Sequence, residues 1–197
     1  VDASGYVNEV TSLVMGADGF GRISYYNDGN DDLKYAQCTN ADCSSPVVTV
    51  VDSASNVGDF SAPAIGSDGF GRIAYWYESG NDVRFARCTN ASCSAKVITN
   101  VETAGNVGEY IDHVLGTDGF GRMSYYDATN GDLKFTQCTN ADCSTHVITS
   151  VDTGGTVGQY TSLVLGSDGF GRISYYDSSN GDLKFARCTN ADCSTHT

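Results

Sequence analysis

Proline, methionine and tryptophan are scarce in this chain, at 2, 2 and 1 among 197 residues, and no stretch keeps a helical period over ten or more residues. That excludes helical bundles and alternating helix–strand folds. No apolar run is long enough to span a bilayer and no signal peptide is visible, so a mature, soluble or surface-attached ectodomain without membrane insertion is expected. Positive charge is also thin. Eleven basic residues face 24 acidic ones, for a net charge of −13, and they are scattered one or two per strand. A nucleic-acid or anionic-lipid surface needs a basic patch, and none is present.

What the chain has instead is repetition. Asp-Gly-Phe-Gly-Arg occurs at 18–22, 68–72, 118–122 and 168–172, at a constant spacing of 50 residues. The copies align without a gap, from Val1, Val51, Val101 and Val151 to Cys43, Cys93, Cys143 and Cys193. An unbroken period of this size marks an array of supersecondary units, none able to bury its apolar face alone. Residues 1–197 are therefore expected to form one domain of four repeats, 1–50, 51–100, 101–150 and 151–197.

Within a copy, 23 glycines, 12 tyrosines and 8 phenylalanines suit short strands joined by tight turns. Residues 161–165 read as a strand, 167–171 as a turn of residues that tolerate positive φ, and 172–176 as the return strand. A second turn at 177–182 leads into 183–188, where apolar and polar residues alternate. Residues 147–151 of the preceding copy supply the pattern of a fourth strand. Four antiparallel strands in about 50 residues is the pattern of a propeller blade. The expected fold is thus all-β and propeller-like, with four four-stranded antiparallel blades. The Val-(Val/Ile)-Thr strand recurs only at 47–49, 97–99 and 147–149, so the last blade lacks its fourth strand. Imperfect closure, a longer natural chain and a strand supplied by another molecule all fit, and an unpaired edge is a template for self-association.

All eight cysteines fall in Cys-Thr-Asn-Ala-(Asp/Ser)-Cys segments. A four-residue loop between strand ends brings the sulfurs within bridging range, so Cys38–Cys43, Cys88–Cys93, Cys138–Cys143 and Cys188–Cys193 form the simplest pairing. Zinc bound by thiolates would need pairs recruited from different blades. Disulfides place the chain in an oxidising compartment, secreted or at the cell surface.

The segments 165–177 (Leu-Gly-Ser-Asp-Gly-Phe-Gly-Arg-Ile-Ser-Tyr-Tyr-Asp) and 180–188 (Asn-Gly-Asp-Leu-Lys-Phe-Ala-Arg-Cys) resemble the tandem repeats of secreted bacterial proteins with an Ile-Ser-Tyr-Tyr-Asp…Asn-Gly-Asp-Leu-Lys pattern. The resemblance covers the whole chain and implies a β-propeller without implying an activity. A more distant likeness links Ser167-Asp168-Gly169-Phe170-Gly171 to the Asp-box hairpin of sialidase-type propellers. The aspartate stands one position early and the tryptophan is missing, so no sialidase role carries over.

Catalysis needs unlike groups converging on one point, whereas fourfold residues spread around a ring. The clearest departures from the repeat are Trp76-Tyr77-Glu78 and Asp112-His113, where two other copies have Ser-Leu; Ala62-Pro63 and Lys96 are further changes. With Glu109, the Asp112-His113 pair could be drawn as an acid/base cluster, but adjacent strand residues point to opposite faces. No serine or cysteine nucleophile stands beside a plausible base. A non-enzymatic chain without a cofactor is expected.

Calcium is a weak candidate at Asp127/Asn130/Asp132 and Asp177/Asn180/Asp182, whose oxygens suit a hard cation. The other two copies do not keep the pattern, and Asn-Gly before a strand is also ordinary hairpin chemistry. For ligand binding, the second strand offers Tyr26, Trp76, Tyr126 and Tyr176, whose flat rings suit sugar stacking. Arg22, Arg72, Arg122 and Arg172 could add hydrogen bonds to hydroxyls, unless each pairs with the nearby Asp18, Asp68, Asp118 or Asp168. The sequence thus favours a binding or adhesion module for an extracellular glycan or surface polymer, multivalent if each blade carries a site. The competing reading is a subunit of an extracellular fibre or surface assembly joined through its open strand edge.

Overall fold

Each repeat folds into strands that pair antiparallel with their neighbours in chain order. The computed structural model describes residues 1–3 and 6–197. Blade 1 holds β1 (Val7–Met15), β2 (Gly21–Asn27), β3 (Asp32–Gln37) and β4 (Val47–Asp52). Blade 2 holds β5 (Ala62–Ile65), β6 (Gly71–Tyr77), β7 (Asp82–Cys88) and β8 (Lys96–Glu102). Blade 3 holds β9 (Val107–Leu115), β10 (Gly121–Asp127), β11 (Asp132–Cys138) and β12 (His146–Asp152). Blade 4 holds β13 (Val157–Leu165), β14 (Gly171–Asp177) and β15 (Asp182–Arg187). The all-β, propeller-like architecture with a three-stranded last blade is what the sequence implies. On the outer edge of β15, Thr197 and Arg187 exchange backbone hydrogen bonds of 2.9 Å, and Cys188 bridges to His196.

The first strand of a blade starts earlier than alternation suggests. Residue 161 is the expected start in blade 4, yet β13 begins at Val157, with register shifts before Ser162. The cause is a bulge. Gly158 has φ 105° and Tyr160 φ 53°, which breaks the period of two and hides the strand from a pattern reading. In blade 2 the same bulge precedes the shorter β5, whose Pro63 sits on the blade's inner edge strand, where a missing N–H is tolerated.

Three apolar clusters hold the blades together, one per junction. Leu33, Tyr35 and Val51 of blade 1 pack on Val57, Ile73 and Tyr75 of blade 2. Val83, Phe85 and Val101 of blade 2 pack on Val107, Met123 and Tyr125 of blade 3. Leu133, Phe135 and Val151 of blade 3 pack on Val157, Ile173 and Tyr175 of blade 4. The ring at position 35, 85 or 135 lies over Gly71, Gly121 or Gly171 of the following blade, and a Cβ placed on any of these glycines would come within 3.4 Å of it. Among the described residues no such cluster joins blade 4 to blade 1.

Polar contacts repeat across the same junctions. Tyr75 and Arg84 of blade 2 donate to Asp52 at the end of blade 1, each at 2.9 Å. Tyr125 donates to Glu102 at 2.6 Å, with Lys134 beside it, and Tyr175 donates to Asp152 at 2.7 Å, with Lys184 beside it. In blade 1 the acid is Asp2, which accepts from Tyr25 at 2.7 Å and Lys34 at 3.1 Å. The cysteines pair within each blade as the spacing implies, with Cα–Cα separations of 4.7 Å. Those of blades 2, 3 and 4 sit inside the junction clusters. Four disulfides indicate an extracellular or otherwise oxidising environment. No helix among the described residues is long and apolar enough to cross a membrane.

Burial at one repeat position makes a direct test. Phe135 is fully buried whereas Phe185 is 61% exposed. Phe135→Ala is expected to cost about 3–5 kcal/mol in denaturant unfolding, and Phe185→Ala to stay within about 0.5 kcal/mol of wild type. Removing the pair Cys138/Cys143 by double substitution to alanine is expected to lower stability by roughly 2 kcal/mol, read from the same curves.

Candidate functional site at the blade axis

The inner strands β1, β5, β9 and β13 converge on a common cavity of about 430 Å³, lined by residues 10–12, 60–62, 110–112 and 160–161. One segment comes from each blade. Hydrogen bonds link neighbouring inner strands: Thr161 Oγ1 donates to the Tyr110 carbonyl at 3.1 Å, and Leu163 N donates to Asp112 Oδ2 at 2.6 Å.

The bulges aim aromatic rings into this site. Phe60, Tyr110 and Tyr160 adopt left-handed backbones, with φ of 48°, 55° and 53°. Bulky residues at positive φ are uncommon and cost of order 1–3 kcal/mol each. Strain of this kind clusters at functional sites. The rings form a continuous arc, with Phe60–Tyr110 centroids 4.7 Å apart and Tyr110–Tyr160 centroids 4.3 Å apart. Tyr160 is 67% exposed. Burial, followed by the Tyr160 contact, pushes the Tyr110 hydroxyl up to about 12, so it stays protonated at any physiological pH. Blade 1 places Val10 at the equivalent position and breaks the arc.

Asp112 is the acid among the cavity-lining residues. Its Oδ1 accepts from His113 N at 2.8 Å and its Oδ2 from Leu163 N. Burial raises its pKa, and these backbone donors work against the rise. His113 points the other way, into the junction of blades 2 and 3. Its ring stands edge-on to Phe85 at 5.5 Å, Nδ1 lies 3.3 Å from the Ala62 carbonyl, and buried Nε2 has no partner. Desolvation lowers its pKa to about 4, so it is neutral at pH 7. Glu109 accepts from Asn106 Nδ2 at 3.0 Å. The Asp112, His113 and Glu109 drawn together from the sequence therefore do not assemble into an acid/base cluster.

The second-strand residues considered for ligand binding are placed differently from expectation. Tyr26, Trp76 and Tyr126 are buried, because the face that carries each is covered by the following blade, as in the 2.6 Å hydrogen bond from the Tyr26 hydroxyl to Asn56; Tyr176, at 37% exposure in the last blade, is the open one. The guanidinium groups are engaged too. Arg22, Arg72, Arg122 and Arg172 meet Asp18, Asp68, Asp118 and Asp168 at 2.6, 2.7, 2.8 and 2.7 Å. Each also donates to three carbonyls, such as Phe20, Gly21 and Cys38 for Arg22. The Arg22 and Arg172 contacts hold the Asp18 and Asp168 carboxyls below the usual range.

At the weak calcium candidates the aspartates close their own turns. Asp127 Oδ1 accepts from the Thr129 and Asn130 amides at 3.0 and 3.1 Å, while Oδ2 accepts from Asn130 Nδ2 at 2.8 Å and Lys134 Nζ at 3.0 Å. Asp177 repeats this with Ser179 and Asn180. Asp132 and Asp182 begin the next strands rather than completing a cage, and a lysine ammonium supplies the positive charge beside Asp127.

Phe60, Tyr110 and Tyr160 are the residues that strand patterning passes over. Their signal is the Gly-(Asp/Glu/Gln)-aromatic triplet at 58–60, 108–110 and 158–160, replaced in blade 1 by Asn8-Glu9-Val10.

His113 predicts a pH effect. Its pKa in the folded state, about 4, lies below the unfolded value of 6.5, so the unfolded chain takes up the proton first and stability falls as pH drops from 6.5 towards 4. The loss reaches roughly 3 kcal/mol at the low end. His113→Leu, the residue at positions 13 and 163, is expected to remove that share of the slope. Urea unfolding of both proteins at pH 7 and pH 4.5 measures it.

No family model and no curated protein matches the sequence. Several solved structures share the fold, among them two from Bacteroides. A bifunctional GH43-CE of Bacteroides eggerthii superposes with a TM-score of 0.59 at 11% identity, over 93% of this chain and 24% of that one. A protein of unknown function from Bacteroides caccae superposes with a TM-score of 0.52 at 11% identity, over 94% and 62%. The chain thus spans about a quarter of the first and under two thirds of the second. The first likeness corrects the expectation of a non-enzymatic chain: this propeller-like fold also occurs within an enzyme, so the architecture gives no ground for excluding catalysis.

Proposed function

We propose that this chain is a secreted binding module that recognises an extracellular glycan at the axial cavity. The observation that carries the reading is the arc of Phe60, Tyr110 and Tyr160, held in left-handed backbone conformations at a cavity that also contains the Asp112 carboxylate. Flat rings stack on the apolar faces of sugars, and a phenol tip or a carboxylate accepts from their hydroxyls. A site of about 430 Å³ suits a few sugar units. The rings converge on one axis, so the module presents one composite site rather than one per blade. The disulfides fit a secreted chain that meets polysaccharide outside the cell.

A glycan array followed by calorimetry with the best oligosaccharide tests this. Tyr160→Ala is expected to weaken binding at least tenfold, about 1.4 kcal/mol, without changing the melting temperature, because the ring is exposed. Binding that survives both Tyr160→Ala and Tyr110→Ala, or an array with no hit, would remove the axial cavity as a glycan site.

A further inference from the structure

Among the described residues that line the axial cavity, Asp112 carries the carboxyl, and no lysine, arginine or histidine stands with it. Acids elsewhere in the fold meet a cation: Asp52 meets Arg84 at 2.9 Å, Glu102 meets Lys134, Asp152 meets Lys184, and the turn aspartate Asp68 meets Arg72 at 2.7 Å. Asp112 meets uncharged donors instead, the His113 and Leu163 amides and the Ser162 hydroxyl. His113 supplies no charge, because its ring turns into the junction of blades 2 and 3 and is neutral at pH 7. A carboxylate held by amides but without a counter-charge still gains from a cation, since a charge-assisted hydrogen bond is roughly twice as strong as a neutral one.

The rings of the arc are in the same condition. Protein cations lie over Tyr77 and Tyr175, where Arg84 and Lys184 stand 3.7 and 5.8 Å from the ring centroids. Among the described residues none lies over Phe60, Tyr110 or Tyr160, whose faces are the negative sides of their quadrupoles. The field of the whole chain has the same sign: a net charge of −13 attracts cations and repels uronates and sulfated sugars.

We propose that the axial cavity takes its glycan through a protonated amino sugar, a hexosamine whose amine is free rather than acylated, with the ammonium donating to Asp112 and the pyranose stacking on the arc of Phe60, Tyr110 and Tyr160. The inference rests on the glycan reading of this cavity and narrows it to one substrate class. Acylation of the amine removes the charge that Asp112 and the ring faces would meet, and a neutral sugar offers only hydroxyls. Blade 3 alone sets this preference, because Ser12, Ala62 and Ser162 occupy the equivalent positions of the other blades.

Calorimetry of the full chain with three oligomers of equal length tests this: β-1,4-linked glucosamine, its N-acetylated form, and β-1,4-linked glucose. The wild type is expected to bind the glucosamine oligomer at least about tenfold more tightly than either of the others, the gain of one charge-assisted hydrogen bond. Asp112→Asn and Asp112→Ser, the second being the residue of blades 1 and 4 at this position, remove the charge, and the advantage is expected to vanish in both. Equal affinities in the wild type, each weakened by Tyr160→Ala, overturn the inference but leave the glycan site standing. A preference for glucosamine that survives both Asp112 substitutions also overturns it, because diffuse attraction to the acidic surface gives that result. If none of the three binds, the glycan reading falls and this inference with it.

Discussion

An aromatic ring laid on a glycine of the following blade is the contact on which the rest of the structure depends. Tyr35 on Gly71, Phe85 on Gly121 and Phe135 on Gly171 set how closely consecutive sheets approach, and even a Cβ beneath the ring would stand only 3.3–3.4 Å from it, close enough that the ring would have to shift. Around each of these points the apolar cluster closes on the Leu or Val two residues before the ring and on the β-branched or methionine residue of the next second strand. At its margin an acid ending one blade binds a tyrosine and a cation in the next. Burying such a carboxylate is tolerated because both a hydroxyl and a positive charge meet it. Neither blade could keep its half of this arrangement alone, and for that reason the repeat is stable only as an array.

The axial cavity is a by-product of the same stacking. Once the sheets are held at a fixed spacing, their first strands must lie side by side around the axis, and whatever those strands carry at their bulges converges. Three blades carry an aromatic residue there and one carries valine, which makes the site asymmetric although the scaffold is nearly fourfold. Asp112 adds a second asymmetry in blade 3. Its immediate neighbour His113 belongs to the scaffold rather than to the site, because successive residues in a strand face opposite sides.

Strand number, blade composition and cysteine pairing were legible because each rests on short-range signals: alternation, turn glycines and a five-residue cysteine spacing. The missing fourth strand of the last blade could be counted directly. The site was not legible in the same way. Tyr26, Trp76 and Tyr126 look like surface rings when a sheet is assumed to have one solvated face, but here the face that carries them is covered by the following blade. Phe60, Tyr110 and Tyr160 fall where left-handed residues interrupt the alternation, so a pattern search discards the segment that matters. Arg22 and its three counterparts differ again: the Asp four residues earlier was visible, but the three carbonyls that each guanidinium also serves are set by the turn geometry.

The placement of the disulfides has a consequence for how the chain matures. Eight thiols could pair in on the order of a hundred ways, yet each cysteine has its partner five residues away on the same hairpin. The native set is therefore reachable as soon as each hairpin has been synthesised, before any blade has a neighbour. In blades 2, 3 and 4 the bonds are then buried against the preceding blade as the two dock, out of reach of reductants and of one another's thiolates. Oxidation is local and early while protection is collective and late, so the array needs little help in sorting its cysteines.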